Sequence, residues 1–576
     1  MARVRVTALL FIFLIHIFLA PSVLGETAPL YDTEARFHPV TAQNGMVSTQ
    51  ERYATLAGLE VLKEGGNAVD AAVTVGFTLA VTLPRAGNLG GGGFMLVYLA
   101  AKDEVVAIDY REKAPSGASR DMFLDKSGEV DKEKSMHSIL SAGVPGTVAG
   151  LALALEQYGT ITLKRAVQPA LELARSGFPV NEELRRSLLV VKDRMEHSES
   201  AMSAYFKEGG EPYSVGEILK QEDLAWSLNE ISGKGAHAFY TGAIAEKMAG
   251  FMRENGGLIT KEDLSSYKPV VRKPLKGDYR GYEIYSMPPP SSGGAHLIQM
   301  LNLLEHYPLA KAGHNTAYAI HILTEAMKLA YADRSKHLGD PDFADIRTSE
   351  LISKDYARKL KRKINTGKAT PSSDIMPGKL PAKEGTNTTH FSVMDSYGNA
   401  VANTYTLNFR YGSKIMVPGT GILLNNEMDD FSSKPGVPNA YGLIGHELNS
   451  IEPGKRMLSS MTPTIVMKDG SPYLVTGSPG GSRIITTVLQ IIVNMIDYNM
   501  NIAEATNAVR IHHQWLPDAL KAERGLSGDT VRILREMGHK VEFGRTMGCT
   551  ESIMKEGDFL YGASDPRRPG GLTAGY

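Results

Sequence analysis

Apolar and polar positions change rhythm along this chain. In the first half, apolar residues recur at helical spacing between glycine-rich breaks. Ser48-Thr49-Gln50-Glu51 has the spacing of a capping box ahead of ATLAGLEVLKEGGN, and Gly65-Gly66 closes that helix before a second begins near Asn67. The run AVDAAVTVGFTLAVTLP is apolar on nearly every side, which predicts a buried helix stopped by Pro84. Segments around 145–176, 216–230 and 314–334 also have helical spacing.

From about Ile364 to Asn387 the text becomes INTGKATPSSDIMPGKLPAKEGTN, which has no apolar period and predicts a flexible linker. After it come the β-like runs THFSVMD, NAVANTYTLN, GILLNN, TPTIVMKDG and PYLVTGS, then a helix from about Ser482 to Tyr498. Strands and helices in one block predict sheets flanked by helices. No internal repeat is visible.

The first two β-like runs form a hairpin if their turn is centred on Tyr397 in DSYGN. Pairing about that centre sets Thr388 opposite Thr406, whereas a slip of one residue would turn the faces over. Thr388 and Thr389 directly follow the linker. A threonine hydroxyl is a poor nucleophile unless a base takes its proton, and one solution is the threonine's own α-amino group, freed when the chain is cut in front of it. A free α-amino group has a pKa of about 7.7–8.0, well placed for proton transfer near neutrality. On this reading Asn387–Thr388 is the bond that breaks. The same residues fit two other patterns, a structural threonine pair across two strands and an N-x-[ST] glycosylation acceptor.

Composition narrows the partners. Of 576 residues, 43% are hydrophobic and 22% charged, a globular composition. At about 150 residues per domain the length suggests three or four units. With 62 basic and 63 acidic residues the net charge is -1, so no global basic field points to nucleic acid or an anionic membrane, and a small-molecule partner is expected. Arg3 and Arg5 precede an apolar run from Ala8 to Ala20 and small residues up to Gly25, the layout of a secretory signal cleaved after Gly25. That run is at or below the short end of a membrane span, the rival reading. An exported chain whose one cysteine is Cys549 has no internal disulfide, and Cys549 reads as a small buried residue. His512 and His513 are adjacent and point apart, and no HExxH or Cys/His spacing occurs, so no metal is predicted. Gly90 to Gly93 and Gly480-Gly481 lack the GK[ST] of a phosphate loop. The first set reads as a tight packing turn. Gly480 and Gly481, ahead of the helix at Ser482, suit backbone donors aimed at a developing oxyanion.

TTHFSVMDSYGNAVANTYTLN, NNEMDDFSSKPGVPNAYGL, RMLSSMTPTIV, TGSPGGSRIITT and GLTAGY, with GGNAVDAAV, NLGGGGFML, DYREKAP, AGVPGTVAG and PPPSSGG earlier, closely resemble the γ-glutamyltranspeptidase family, and most of all its bacterial exported members. The resemblance covers essentially everything after the signal segment. It implies an α/β fold, a four-layer αββα sandwich of the N-terminal-nucleophile hydrolase type with intertwined large and small subunits. The implied layout is a signal peptide at 1–25, a large subunit at 26–387 including the linker 364–387, and a small subunit at 388–576. Thr388 would attack the carbonyl of Asn387 to cut the chain and then serve as catalytic nucleophile. Thr406 matches the family's second threonine, and Gly480 and Gly481 its oxyanion-hole glycines. A γ-glutamyl group carries an α-carboxylate and an α-ammonium on one carbon, so its site needs both signs of charge close together. Arg111 in DYREKAP suits the carboxylate because its fork binds two oxygens. Ser459 and Ser460 match the serine pair that assists it, and Asp430, Glu427 and Asn408 match the groups that hold the ammonium. Some family members carry glutamine at the position of Glu427. Tyr441, in PGVPNAYGLIG, matches the closing residue of a lid loop.

The expectation is a periplasmic or secreted γ-glutamyltransferase and glutathione hydrolase. It would pass the glutamyl group from glutathione or another γ-glutamyl compound to an amino acid, a peptide or water, as a heterodimer of its own two fragments with no cofactor. The rivals are a glutaryl or cephalosporin acylase of the same fold and an exported binding protein without chemistry.

Overall fold

Two antiparallel sheets lie face to face between layers of helices. A computed structural model of the chain describes residues 35–375 and 388–576. The expected signal segment, residues 376–387 and with them Asn387 lie outside the described residues. The account below concerns the unit Pro39–Tyr576.

One seven-stranded sheet runs, edge to edge, through Leu572–Gly575, Met46–Thr49, Thr389–Met394, Ala400–Thr406, Gly92–Leu99, Glu104–Tyr110 and Val270–Arg272. The other, also seven-stranded, runs through Val40–Ala42, Phe559–Ser564, Glu551–Glu556, Ser471–Thr476, Thr464–Lys468, Tyr282–Ser286 and Leu275–Tyr279. Each sheet therefore draws strands from both sides of the linker. Between them lies a core of Phe94, Leu96 and Ala402 against Ile465, Val475, Ile553 and Leu560. Burying such surface contributes about 25 cal/mol per Å².

Helices cover the outer faces. The apolar run predicted to be buried is the helix Ala68–Thr82, and every one of its residues is buried. Asn67 caps it, with Asp70 completing a capping box. With the helix Thr147–Tyr158 it packs on the first sheet, where Phe391, Val401 and Tyr405 face it, and Leu163–Ser176 packs against it. Gly293–Leu304 packs on the second sheet, and Ala317–His337 and Arg483–Ile496 pack against that helix. These four layers are those the family resemblance implied.

Two local expectations need correction. Ser48 and Thr49 do not cap the first helix, because the strand Met46–Thr49 claims them; Glu51 is the N-cap of Arg52–Lys63 and accepts from the N–H groups of Tyr53 and Ala54. The first half of the presumed linker is also docked, not loose. Ala369 N–H donates to Met537 O at 2.7 Å, Ser372 N–H to Asp518 at 2.8 Å, and Trp515 Nε1–H to the carbonyls of Ser372 and Ile375 at 3.0 Å. Composition alone read this segment as mobile because it has no apolar period, but partners far away in sequence satisfy its backbone.

The glycines of NLGGGG are a packing turn, as expected. A Cβ on Gly91 would lie 2.0 Å from the carbonyl oxygen of Thr406, and one on Gly93 would lie 2.4 Å from the Cβ of Tyr405. Asn88 ties the turn down, since its amide donates to Thr406 O at 2.9 Å and its oxygen accepts Gly91 N–H at 2.9 Å. Because the obstacle at Gly91 is backbone, it has no rotamer escape. Gly91→Ala is expected to cost at least about 2 kcal/mol, read as a lower urea midpoint with unchanged slope.

Candidate active site

The strand pairs are Thr389 with Tyr405, His390 with Thr404, and so on to Met394 with Ala400, which is the register expected from the turn. Thr388, one residue before the strand, therefore stands opposite Thr406, and its hydroxyl donates to Thr406 Oγ1 at 3.4 Å. Alternation puts Thr388 and His390 on the face towards the second sheet and Thr389 on the helix side. Thr406 Oγ1 also accepts the N–H of Asn408 at 2.9 Å.

One narrow pocket is lined by Thr388, Thr406, Arg111, Asn408, Glu427, Asp430, Tyr441, Ser459, Ser460 and Gly481, together with Arg334, Leu443, Met461 and Ile484. All the expected residues except Gly480 and Asn387 line it. Gly480 precedes Gly481 in the turn before the helix Arg483–Ile496. Both glycines have positive φ, 142° and 56°, and neither N–H donates to a protein acceptor among the described residues. Two backbone donors are thus left at the start of a helix, beside the threonine pair.

Local structure explains the charged wall. Arg111 is the first residue beyond the strand Glu104–Tyr110. Glu427–Asp430 is a 3₁₀ turn, in which residues three apart eclipse, so Glu427 and Asp430 meet the same guanidinium. Arg111 Nη1 lies 2.7 Å from Glu427 and 3.3 Å from Glu112, and Nη2 lies 2.5 Å from Asp430. Arg111, Glu112 and Glu427 are fully buried and Asp430 nearly so, and neither oxygen of Glu427 has a donor group other than the Arg111 guanidinium with which it is ion-paired. Burial lifts the Glu427 carboxyl well above its ordinary range, which Arg111 only partly offsets, and burial likewise lifts Asp430. The Arg111 guanidinium stays charged: burial opposes it, but Glu427, Glu112 and Asp430 together prevail.

Tyr441 lies over the pocket, its hydroxyl donating to Asn408 O at 2.8 Å and its ring edge-on to Phe409. Asp429 holds the same loop by accepting the Ala440 N–H at 3.2 Å. The motif PPPSSGG proves to be scaffolding for the serine pair: Ser292 donates through both its N–H and its hydroxyl to Ser459 O, at 2.8 and 2.7 Å.

Sequence reasoning missed Arg334 and Glu112. Glu112 stood in a quoted motif, next to Arg111. Arg334 had no such signal beyond being a charge in a helical run. Cys549 is fully buried, as read. His512 and His513 do point apart, towards Thr486 and Asp518 respectively. One grouping that spacing could not reveal is His321, Glu325 and His539. The two rings hydrogen-bond each other at 2.8 Å and Glu325 is paired with Lys328 at 2.9 Å, so these groups already satisfy one another.

Two face-to-face antiparallel sheets between helical layers, with a threonine opening a central strand, define the N-terminal-nucleophile hydrolase fold. The family profile for Gamma-glutamyltranspeptidase matches residues 54–575. The chain is 56% identical over 541 residues to the glutathione hydrolase proenzyme of Escherichia coli K12, covering 94% of this chain and 93% of that one. Among solved structures, a cephalosporin acylase from Bacillus halodurans superposes with a TM-score of 0.83 at 27% identity, over 95% of this chain and 98% of its own. A Helicobacter pylori γ-glutamyltranspeptidase chain gives 0.56 at 48% identity, over 58% of this chain and 96% of its own. The chain belongs to the γ-glutamyltranspeptidase family, and it is an enzyme of that type.

The charged wall gives a pH prediction. Burial raises Glu112 from 4.5 to about 7, against the pull of Arg111. A carboxyl that holds its proton more tightly when folded contributes stability that is full below its unfolded pKa and is lost as pH rises through the folded one. Glu112→Gln cannot titrate, so its urea midpoint should decline less than that of wild type between about pH 4.5 and 7.

Proposed function

We propose that this chain is a self-processing γ-glutamyltransferase and glutathione hydrolase whose nucleophile, for both the cut and the catalysis, is Thr388. The observation that carries this reading is the meeting of the Thr388 and Thr406 hydroxyls in a pocket that also holds two guanidinium groups, two carboxyl groups, a serine pair and Gly481 with its free N–H.

In processing, Thr388 Oγ adds to the carbonyl of Asn387, the peptide bond gives way to an ester, and water releases the upstream fragment. The new α-amino group then takes the Thr388 hydroxyl proton as that oxygen attacks a γ-glutamyl carbonyl. Negative charge grows on the carbonyl oxygen, and the free N–H groups of Gly480 and Gly481 are the donors assigned to stabilise it. The leaving amine departs with a proton, and the glutamyl group stays on Thr388 as an ester. An amino acid, a peptide or water attacks that ester and restores Thr388. Thr406 holds the nucleophile's oxygen between turnovers.

The glutamyl α-carboxylate is assigned to the side of Arg111, Ser459 and Ser460, and the α-ammonium to Glu427, Asp430 and Asn408. Glu427 has no donor besides the Arg111 ion pair, which leaves acceptor capacity for an ammonium there. Tyr441 closes the pocket against bulk water. No step calls for a cofactor. Residues 1–25 are read as a cleaved secretory signal and the mature enzyme as a periplasmic or secreted heterodimer of residues 26–387 and 388–576. No helix among the described residues is long and apolar enough to cross a membrane, and the E. coli relative is itself named a proenzyme. The likeness to a cephalosporin acylase supports a second reading, glutaryl transfer by the same threonine, but a glutaryl group has no ammonium to meet the two acids.

Purified wild-type protein should run as two bands on a denaturing gel, and Thr388→Ala as one. A wild type that remains a single chain, or a Thr388→Ala protein that still splits, overturns the nucleophile. Thr406→Val should slow both splitting and turnover by about 100-fold, the scale of a misplaced nucleophile. Asp430→Ala should lower kcat/KM for glutamyl donors relative to glutaryl ones by about tenfold or more, and an unchanged ratio would favour the acylase reading.

A further inference from the structure

Arg334 stands in the last turn of the helix Ala317–His337 and lines the pocket beside the serine pair, though no motif had marked it. It is 6% exposed. Its Nε donates to Ser292 Oγ at 2.9 Å and its Nη2 to Ser460 Oγ at 3.2 Å. No described carboxylate lies within ion-pair distance; Asp430 is the acid that acts on it through space, and burial pulls its guanidinium down to about 10. Arg111 is in the opposite condition. Its Nε donates to Met457 O, Nη1 faces Glu427 and Glu112, and Nη2 meets Asp430, which leaves little of its five-donor fork for a ligand.

The serine hydroxyls complete the picture. Each has one hydrogen to give. Ser292 gives its own to Ser459 O while accepting from Arg334. Ser459 Oγ accepts the N–H of Met461 at 3.1 Å, and Ser460 Oγ accepts from Arg334, so both keep their hydrogens, and neither has an acceptor among the described residues. Two hydroxyl donors and a buried guanidinium without a counterion thus converge on one side of the pocket. A buried charge in that condition is costly, and an incoming carboxylate would relieve it.

We propose that Arg334 is a specificity-determining residue: with the Ser459 and Ser460 hydroxyls it binds the α-carboxylate of the donor, as the second cation beside Arg111. This deepens the glutamyl reading of the pocket and rests on it. The ligand class is an acyl donor bearing a free carboxylate at the carbon beyond the side-chain methylenes. An α-carboxamide in its place would meet the same donors without the charge.

The test compares γ-L-glutamyl-p-nitroanilide with its α-carboxamide analogue on wild type, Arg334→Gln and Arg334→Lys. Arg334→Gln should still split at Thr388, because that step involves no α-carboxylate. Its KM for the carboxylate donor should rise about 10- to 100-fold while kcat moves less than about threefold, and kcat/KM for the carboxamide should change less than about threefold. Arg334→Lys should fall between, keeping the charge without the fork. A processed Arg334→Gln with wild-type KM, or an equal loss on both donors, overturns the inference alone. If neither variant yields processed protein, Arg334 serves the fold and the inference falls as well. A wild type that fails to split or to use the glutamyl donor sinks the functional reading first, and this inference with it.

Discussion

The pairing of Thr389–Met394 with Ala400–Thr406 is the constraint on which the rest depends. Both strands lie inside a sheet, flanked by Met46–Thr49 and Gly92–Leu99, so neither can slide without disturbing a neighbour. Register decides which threonine faces the chemistry, because consecutive side chains point to opposite faces. The second sheet then sets the depth. A Cβ on Gly477 would lie 2.4 Å from the His390 ring, so the loop leading to Gly480 rests against the strand that Thr388 opens. Thr388 and the backbone N–H groups of Gly480 and Gly481 are therefore spaced by the packing of two sheets, not by the flexibility of a loop.

Around that frame the protein accepts an expensive arrangement of charge. Three carboxyl groups share Arg111, with Glu112 and Glu427 fully buried and Asp430 mostly so, and burial raises all three. Such a cluster adds little to stability and often subtracts from it. It makes sense where a ligand must be recognised by two opposite charges on one carbon, and where the groups must already point inward before it arrives. The 3₁₀ turn is an economical way to aim two of them, since it needs only four residues.

Much of this was legible in the sequence, for identifiable reasons. The helix Ala68–Thr82 announced itself by being apolar all round, and the hairpin by its turn. Even the cross-strand threonine pair followed from counting about Tyr397. Where reading failed, tertiary contacts had overruled a local signal: a strand absorbed Ser48 and Thr49, and Trp515, Asp518 and Met537 held a segment whose composition spelled mobility. Arg334 was invisible for a related reason. Its significance comes from meeting Ser292 and Ser460, residues distant in sequence, and no spacing rule can anticipate such a meeting.

Both sheets pair strands from before residue 376 with strands from after residue 387. Cutting the chain ahead of Thr388 would not create two bodies that touch across a surface. It would leave two threads of one weave, with hydrogen-bonded ladders passing from one to the other in both sheets. Such a pair has no dissociation constant in the ordinary sense: dilution would not separate it, and either piece made alone would lack about half the strands of both sheets. The only route apart is unfolding, so the association is inherited from the single chain that folded first.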